Sequence, residues 1–446
     1  MDTSGTTSTS AGTSAGRHPS RRAVGLGAAA AGAAALTACG AGGSGGSSGP
    51  AELRFTWWGS DTRHRATQEV IDAFNAENPD IRVTGEYTEW SGYWDKLATT
   101  VAANDAPDVI QMDVIQLRSY ADRGALLDLS QVEGIDTSLI DPQDLSTGQT
   151  DEGLFGLVNG IVPHAVIANP ELFAAAGQEL PDDLAWTWDD YERLGAAITQ
   201  AGPSGTYGLS AGGLDEPGLA LWGQQLGNDF YDRSGTVTLD PEVVASWWEY
   251  HLRTIESGAA TPASLAVESQ TLGLDQSGMA TGTIGMQGIW ATQVTAFTNA
   301  HGSPLALLRP PRQNAGGDSG LFYKAAMYWS ISARTRYPEA AARFVDYLEN
   351  STTAGDIMLT ERGIPANPEI RERIVPQLSE TDALAVSYVD SLRDVVGPMP
   401  TSAPKGASAV QATVLRYGTD VLFGRQEPAG AAQGLVDELT ASVESA

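Results

Sequence analysis

Leu53-Arg54-Phe55-Thr56-Trp57 alternates apolar and polar side chains, the period of a half-buried strand. Trp58-Gly59-Ser60-Asp61 then reads as a loop, and beyond it the period changes. Ala66, Val70, Ile71 and Phe74 share one face of a predicted helix, which Asn78-Pro79 stops. Ile81-Arg82-Val83 predicts the next strand. Tyr93, Leu97 and Val101 recur at a four-residue spacing and predict a second helix, and Val109-Ile110-Gln111-Met112 reads as a buried strand ending at Asp113. Strand, helix, strand, helix, strand within about 60 residues is a βαβ pattern, which implies a parallel sheet covered by helices on both faces.

The same kind of alternation returns later. Ala341, Phe344, Val345 and Leu348 form an amphipathic face opened by Pro338-Glu339. Residues 366–446 read as mostly helical, with loops around Pro376 and Val396–Gly406, and no short internal repeat is present. Open α/β sheets bind ligands at the carboxyl ends of their strands. That rule sets Trp58–Asp61 and Asp113 along one edge, where a cleft is expected.

Length and charge narrow the picture. The chain has 446 residues, with 55 Asp and Glu against 26 Lys and Arg, a net charge of −29. Such a balance repels nucleic acid and anionic lipid, both of which need clustered Lys and Arg. Residues 1–38 hold Arg21-Arg22, then an Ala/Gly-rich apolar stretch from Ala23 to Ala38, too short and glycine-rich to span a bilayer. Ser20-Arg21-Arg22 resembles a twin-arginine export signal, and Leu36-Thr37-Ala38-Cys39 resembles the lipobox of bacterial lipoproteins. Cys39 is the single cysteine, so no intrachain disulfide can form, and the resemblance makes it the lipidation site. Residues 39–50 read as a Gly/Ser tether. Roughly 400 residues remain, which suggests two or more lobes rather than one core. The expectation is export and lipid anchoring, with the protein facing the extracellular side and touching the membrane only through that anchor.

Eleven tryptophans are the strongest compositional signal. Several stand where a loop leaves a strand or helix: Trp57-Trp58, Trp90, Trp222, Trp290 and Trp329. An indole suits the apolar C–H face of a sugar ring, while acids and Arg pair with its hydroxyls. Here Trp58 lies close to Asp61, and Glu89 adjoins Trp90, with Asp113 shortly after. Trp247-Trp248 sits in a predicted helix and reads as packing. There is no Walker loop or His-Glu-x-x-His, and the five histidines are scattered, so neither a catalytic centre nor a metal site is expected. No cofactor is expected either. A glycosidase needs only two carboxylates at a set separation, and sequence leaves that arrangement open.

Phe55-Thr56-Trp57-Trp58-Gly59, followed by Phe74-Asn75-Ala76-Glu77-Asn78-Pro79-Asp80-Ile81-Arg82-Val83, is similar to the N-terminus of extracellular solute-binding proteins of family 1, the sugar-binding components of ABC importers. Ala106-Pro107-Asp108-Val109, Gly124-Ala125-Leu126-Leu127-Asp128-Leu129, Gly282-Thr283-Ile284-Gly285-Met286, Tyr337-Pro338-Glu339-Ala340-Ala341 and Gly363-Ile364-Pro365-Ala366-Asn367 continue the resemblance in order. It implies a two-lobed α/β fold of the periplasmic-binding-protein type II. Lobe one would be 51–162 plus 310–354, and lobe two 163–309 plus 355–446, with a ligand cleft between them. It further implies a monomer that is not an enzyme and binds a carbohydrate for ABC permease subunits. The residues expected to touch ligand are Trp58, Gly59, Asp61, Glu89, Trp90, Asp113, Trp222, Trp290, Trp329 and Arg362.

Two departures bear on the ligand. Pro163-His164-Ala165-Val166-Ile167-Ala168-Asn169 stands where the family usually carries aromatics, and Gly320-Leu321-Phe322-Tyr323-Lys324 brings a cation to the expected cleft. A charged or modified sugar fits that change. The alternatives are a lipid-anchored glycoside hydrolase, or a binder of a non-sugar solute such as a polyamine or phosphate ester.

Overall fold

The computed structural model describes residues 49–445 apart from 151, 233, 402 and 408. The expected leader, Cys39 and nearly all of the tether lie outside the described residues.

The N-terminal alternation builds the sheet it implies. β1 (Ala51–Trp58) pairs in parallel with β2 (Ile81–Thr88) along its whole length, and with β3 (Val109–Met112) at Phe55 and Thr56. The helix between β1 and β2, Asp61–Glu77, starts before its first apolar residue because the Ser60 hydroxyl caps it by accepting from the Arg63 N–H. β2 runs well past the Ile81–Val83 core expected for it, since pairing with β1 carries it to Thr88.

After a two-strand hairpin, β4 (Gln149–Thr150) with β5 (Gly153–Leu154), comes β6 (Leu157–Ala168), the longest strand. β7 (Tyr207–Leu209), β8 (Ile284–Trp290), β9 (Ala306–Leu308) and β10 (Tyr323–Ile331) complete the set. The order across the main sheet is β2-β1-β3-β10-β6-β8-β7, with β9 also on β6. β6 is shared by both halves of the molecule. Its residues Leu157–Pro163 pair with β10, and from His164 onward it pairs with β8 and β9. The hand-over falls at Pro163, which has no N–H to give to a ladder.

The result is a two-lobed α/β fold, as expected. In the first half, Phe55, Trp57, Phe74, Trp329 and Phe344 pack together between sheet and helices. Helix Pro338–Asn350 contributes Ala341, Phe344, Val345 and Leu348, as its period predicts. Helix Thr352–Met358 packs on helix Asp61–Glu77. The second half has two apolar clusters, one of them made by helix Pro241–Glu256 with the C-terminal helices Val410–Leu422 and Pro428–Glu444. Trp247 and Trp248 are buried there as packing residues. Among the described residues no helix is long and apolar enough to cross a membrane.

Candidate functional site

Three parallel strands of the first half end at one edge, and each delivers a polar or aromatic group there. Trp58 closes β1 and Asp61 opens the helix after Ser60. Glu89 occupies the N-cap position of helix Trp90–Ala102 without capping it and is exposed. Asp113 follows β3 and caps helix Val114–Asp122, accepting from the Ile115 N–H at 2.9 Å. The Gly59 site leaves room for the Arg63 side chain, which a Cβ would strike.

The tryptophans of this rim are nested. Trp58 is only 7% exposed and is enclosed by Trp90, Tyr93 and Trp94 at centroid distances of 5.0–5.5 Å. Trp90, 49% exposed, is the indole that faces outward. Trp58 therefore backs the rim while Trp90 presents a ring to solvent.

A second rim belongs to the second half. A cavity of about 810 Å³ is bounded there by His164, Ser210, Asp215, Gln287, Trp290 and Gln293, among others. Asp215 caps helix Glu216–Gln225 through the Gly218 N–H at 2.7 Å, and burial raises its pKa. Trp290 ends β8. The His164 ring meets it edge-on at 5.7 Å, and the Lys324 ammonium lies 5.2 Å from its centroid. Burial lowers the His164 pKa to about 4, so this imidazole is neutral at physiological pH, and its Nδ1 has no partner. No carboxylate among the described residues lies within 4.0 Å of Lys324.

Of the ten residues expected to touch ligand, Trp58, Gly59, Asp61, Glu89, Trp90 and Asp113 gather on the first rim, and Trp290 lies on the second. The other three are elsewhere. Trp222 is buried against Trp188 and Tyr250 and donates to Ser246 Oγ at 3.0 Å. Trp329, 1% exposed, donates to Glu349 Oε2 at 3.2 Å. Arg362 is sealed beneath the cleft, donating to Gln111 Oε1 at 2.9 Å and Thr67 Oγ1 at 2.6 Å. Burial, with Arg63 nearby, brings its pKa down to about 9, which leaves it charged at neutral pH. Strand pairing and helix packing turn these three side chains inward, and a position near a loop does not report that.

Sequence reasoning missed Arg63 and Asp215. Arg63 joins the rim to the chain near residue 361, binding Glu361 at 3.2 Å and its carbonyl at 2.8 Å, and also approaches the Trp58 carbonyl. Asp215 could have been found as a cap residue before an apolar helix. Among the described residues no group of three or more His, Cys, Asp or Glu side chains could hold a metal ion.

Known proteins bear on this geometry. The family described as bacterial extracellular solute-binding protein matches residues 58–354. An uncharacterized lipoprotein from the region 5′ of oleD in Streptomyces antibioticus is 31% identical over 173 residues, 38% of this chain and 37% of that protein. The chain thus matches little more than a third of that relative's length. A family 1 extracellular solute-binding protein from Alicyclobacillus acidocaldarius superposes with a TM-score of 0.77 at 26% identity, covering 90% of this chain and all of that one. A periplasmic oligogalacturonide-binding protein from Yersinia enterocolitica gives 0.77 at 21% identity, covering 88% and 99%.

Proposed function

The chain belongs to the bacterial extracellular solute-binding proteins, and from that premise we propose that it captures a carbohydrate by closing two lobes over it and delivers it to the permease of an ABC importer. One observation carries this reading: each half pairs an indole that is not fully buried with a carboxylate, Trp90 beside Glu89 in the first and Trp290 with Asp215 in one cavity of the second. That is the pairing a sugar needs, with a ring for its C–H face and acceptors for its hydroxyls. Proteins of the same fold bind oligogalacturonide, cycloalternan and acarbose, which supports a saccharide ligand.

The first lobe would comprise 51–162 with the segment from 310, and the second lobe 163–309 with the C-terminal helices. The packing of Thr352–Met358 on the first-half helix supports a third crossing after Met358. Closure excludes water and strengthens every hydrogen bond made inside. Binding and release need no covalent step. The mature protein would be exported and act as a monomer held outside the membrane by lipid on Cys39, a reading supported by the lipobox-like tetrapeptide and by the lipoprotein relative.

A thermal-shift screen over mono- and oligosaccharides tests the ligand class, because a ligand that binds only the folded state raises Tm. X-ray scattering at saturating sugar tests closure through a smaller radius of gyration. No shift with any saccharide would defeat the carbohydrate reading, and release of reducing ends by the purified protein would make it a hydrolase.

A further inference from the structure

The cavity that Trp290 lines has walls of two kinds. His164, Asp215, Gln287 and Trp290 give one part of it hydrogen-bonding groups beside an indole. Another part comes from helix Ala263–Ser269 and the turn after it. Leu265, Glu268 and Ser269 lie at i, i+3 and i+4 on one face of that helix, Leu272 follows in the turn, and all four line the cavity. Ala266, 1% exposed, fixes the helix in the core, yet Leu265 and Leu272 are left 42% and 40% exposed. Leu274, also in the lining, is half-buried.

A bare saccharide does not use such leucines. Its apolar surface is the flat C–H face of a ring, which an indole matches, and its hydroxyls need donors and acceptors. A branched leucine side chain offers neither a flat face nor a polar atom. It suits a hydrocarbon chain or ring, whose removal from water is favourable for each CH₂ buried. A leucine exposed singly on a surface needs no explanation, but two in one concave site make a place for an apolar ligand group. The cavity's volume of about 810 Å³ lies in the range that encloses a drug-sized molecule, which leaves space beside a sugar ring for a substituent. No Lys or Arg lines it, and burial keeps His164 and His251 neutral at physiological pH, so this cavity holds no fixed cation.

We infer that the ligand is a glycoside, a saccharide held at Trp290 and Asp215 whose apolar aglycone lies against Leu265 and Leu272. This rests on the carbohydrate-binding reading above and narrows its ligand class.

Calorimetry on the whole protein would compare the methyl, n-hexyl and phenyl glycosides of glucose, galactose, mannose, xylose and maltose, with n-hexanol as the sugar-free control. For a sugar that binds, the hexyl or phenyl glycoside should bind at least about tenfold tighter than the methyl glycoside, with a more negative heat-capacity change and no weakening by salt. Changing Leu265→Ser and Leu272→Ser together should erase that preference and leave the methyl glycoside's affinity unchanged. Equal binding of methyl, hexyl and phenyl glycosides by the unaltered protein would overturn the inference while leaving the carbohydrate reading intact. So would a double variant that weakens all three equally, since the leucines would then serve lobe closure rather than an aglycone. Hexanol binding as tightly as the hexyl glycoside would remove the sugar from the site, and if no glycoside binds, both readings fall together.

Discussion

The Arg362 guanidinium lies 5.1 Å from the centroid of the Trp329 ring, and both side chains are sealed from solvent. The indole N–H donates to Glu349, so ion, ring and acid form one buried stack behind the cleft. Trp329 also meets Phe55 edge-to-face at 5.7 Å, which ties this stack to the first-half core. Two residues expected to touch ligand, Trp329 and Arg362, are therefore buried together in this stack.

Trp329→Ala should lower stability by about 3–5 kcal/mol, the range for truncating a fully buried large aromatic. Urea denaturation would measure it. Sugar affinity of the folded variant should stay unchanged, and a loss of affinity at unaltered stability would return Trp329 to the binding site.

Trp90→Ala and Trp290→Ala should do the reverse. Each removes a ring offered to ligand, and each should weaken binding roughly tenfold, about 1.4 kcal/mol. Trp90, half exposed, should cost less stability than the fully buried Trp329. Titration calorimetry beside thermal melts separates the two effects.

Glu349 makes stability fall with rising pH. Burial lifts its pKa from 4.5 to about 8, and its Oε1 has no partner. The folded state thus holds a proton that the unfolded state has already lost, so the stabilisation is complete below pH 4.5 and is lost as pH rises through 8. Asp144, raised by burial to about 7, acts in the same sense. His164 and His251, lowered by burial to about 4 and 3, act in the opposite sense, but only below their ordinary 6.5. Tm should therefore decline between about pH 6.5 and 8, and Glu349→Gln should flatten that decline. A variant with the same slope as the parent would show that Glu349 does not titrate there.

Cys39→Ala should move the protein from the membrane fraction to the medium with unchanged sugar affinity. Fractionation of cells expressing each form checks it. A variant that stays with the membrane would rule out a lipid anchor at this thiol.

Parts of the site were legible because they depend on local order. Trp58, Asp61, Glu89 and Asp113 follow strands whose period is visible, and parallel strands bring such termini to one edge. Lys324 stood out as a cation in an unusual place. Arg63 gave no sign, because its partners are Glu361 and Met327, nearly 300 and more than 260 residues away.

The sequence by itself determined the βαβ start, the helical C-terminus and the kind of side chain available at each strand end, since these follow from period and capping within a few residues. Which tryptophans are buried and which stay open to solvent was decided only in three dimensions. Trp329 and Lys324 share β10, yet pairing with β3 and helix Pro338–Asn350 buries the first, while the bulge after Ala325 and the end of β8 set the second over Trp290. A strand's period fixes that neighbours point to opposite faces. Which face becomes core depends on the sheet neighbours and helices laid against it, and those come from distant parts of the chain.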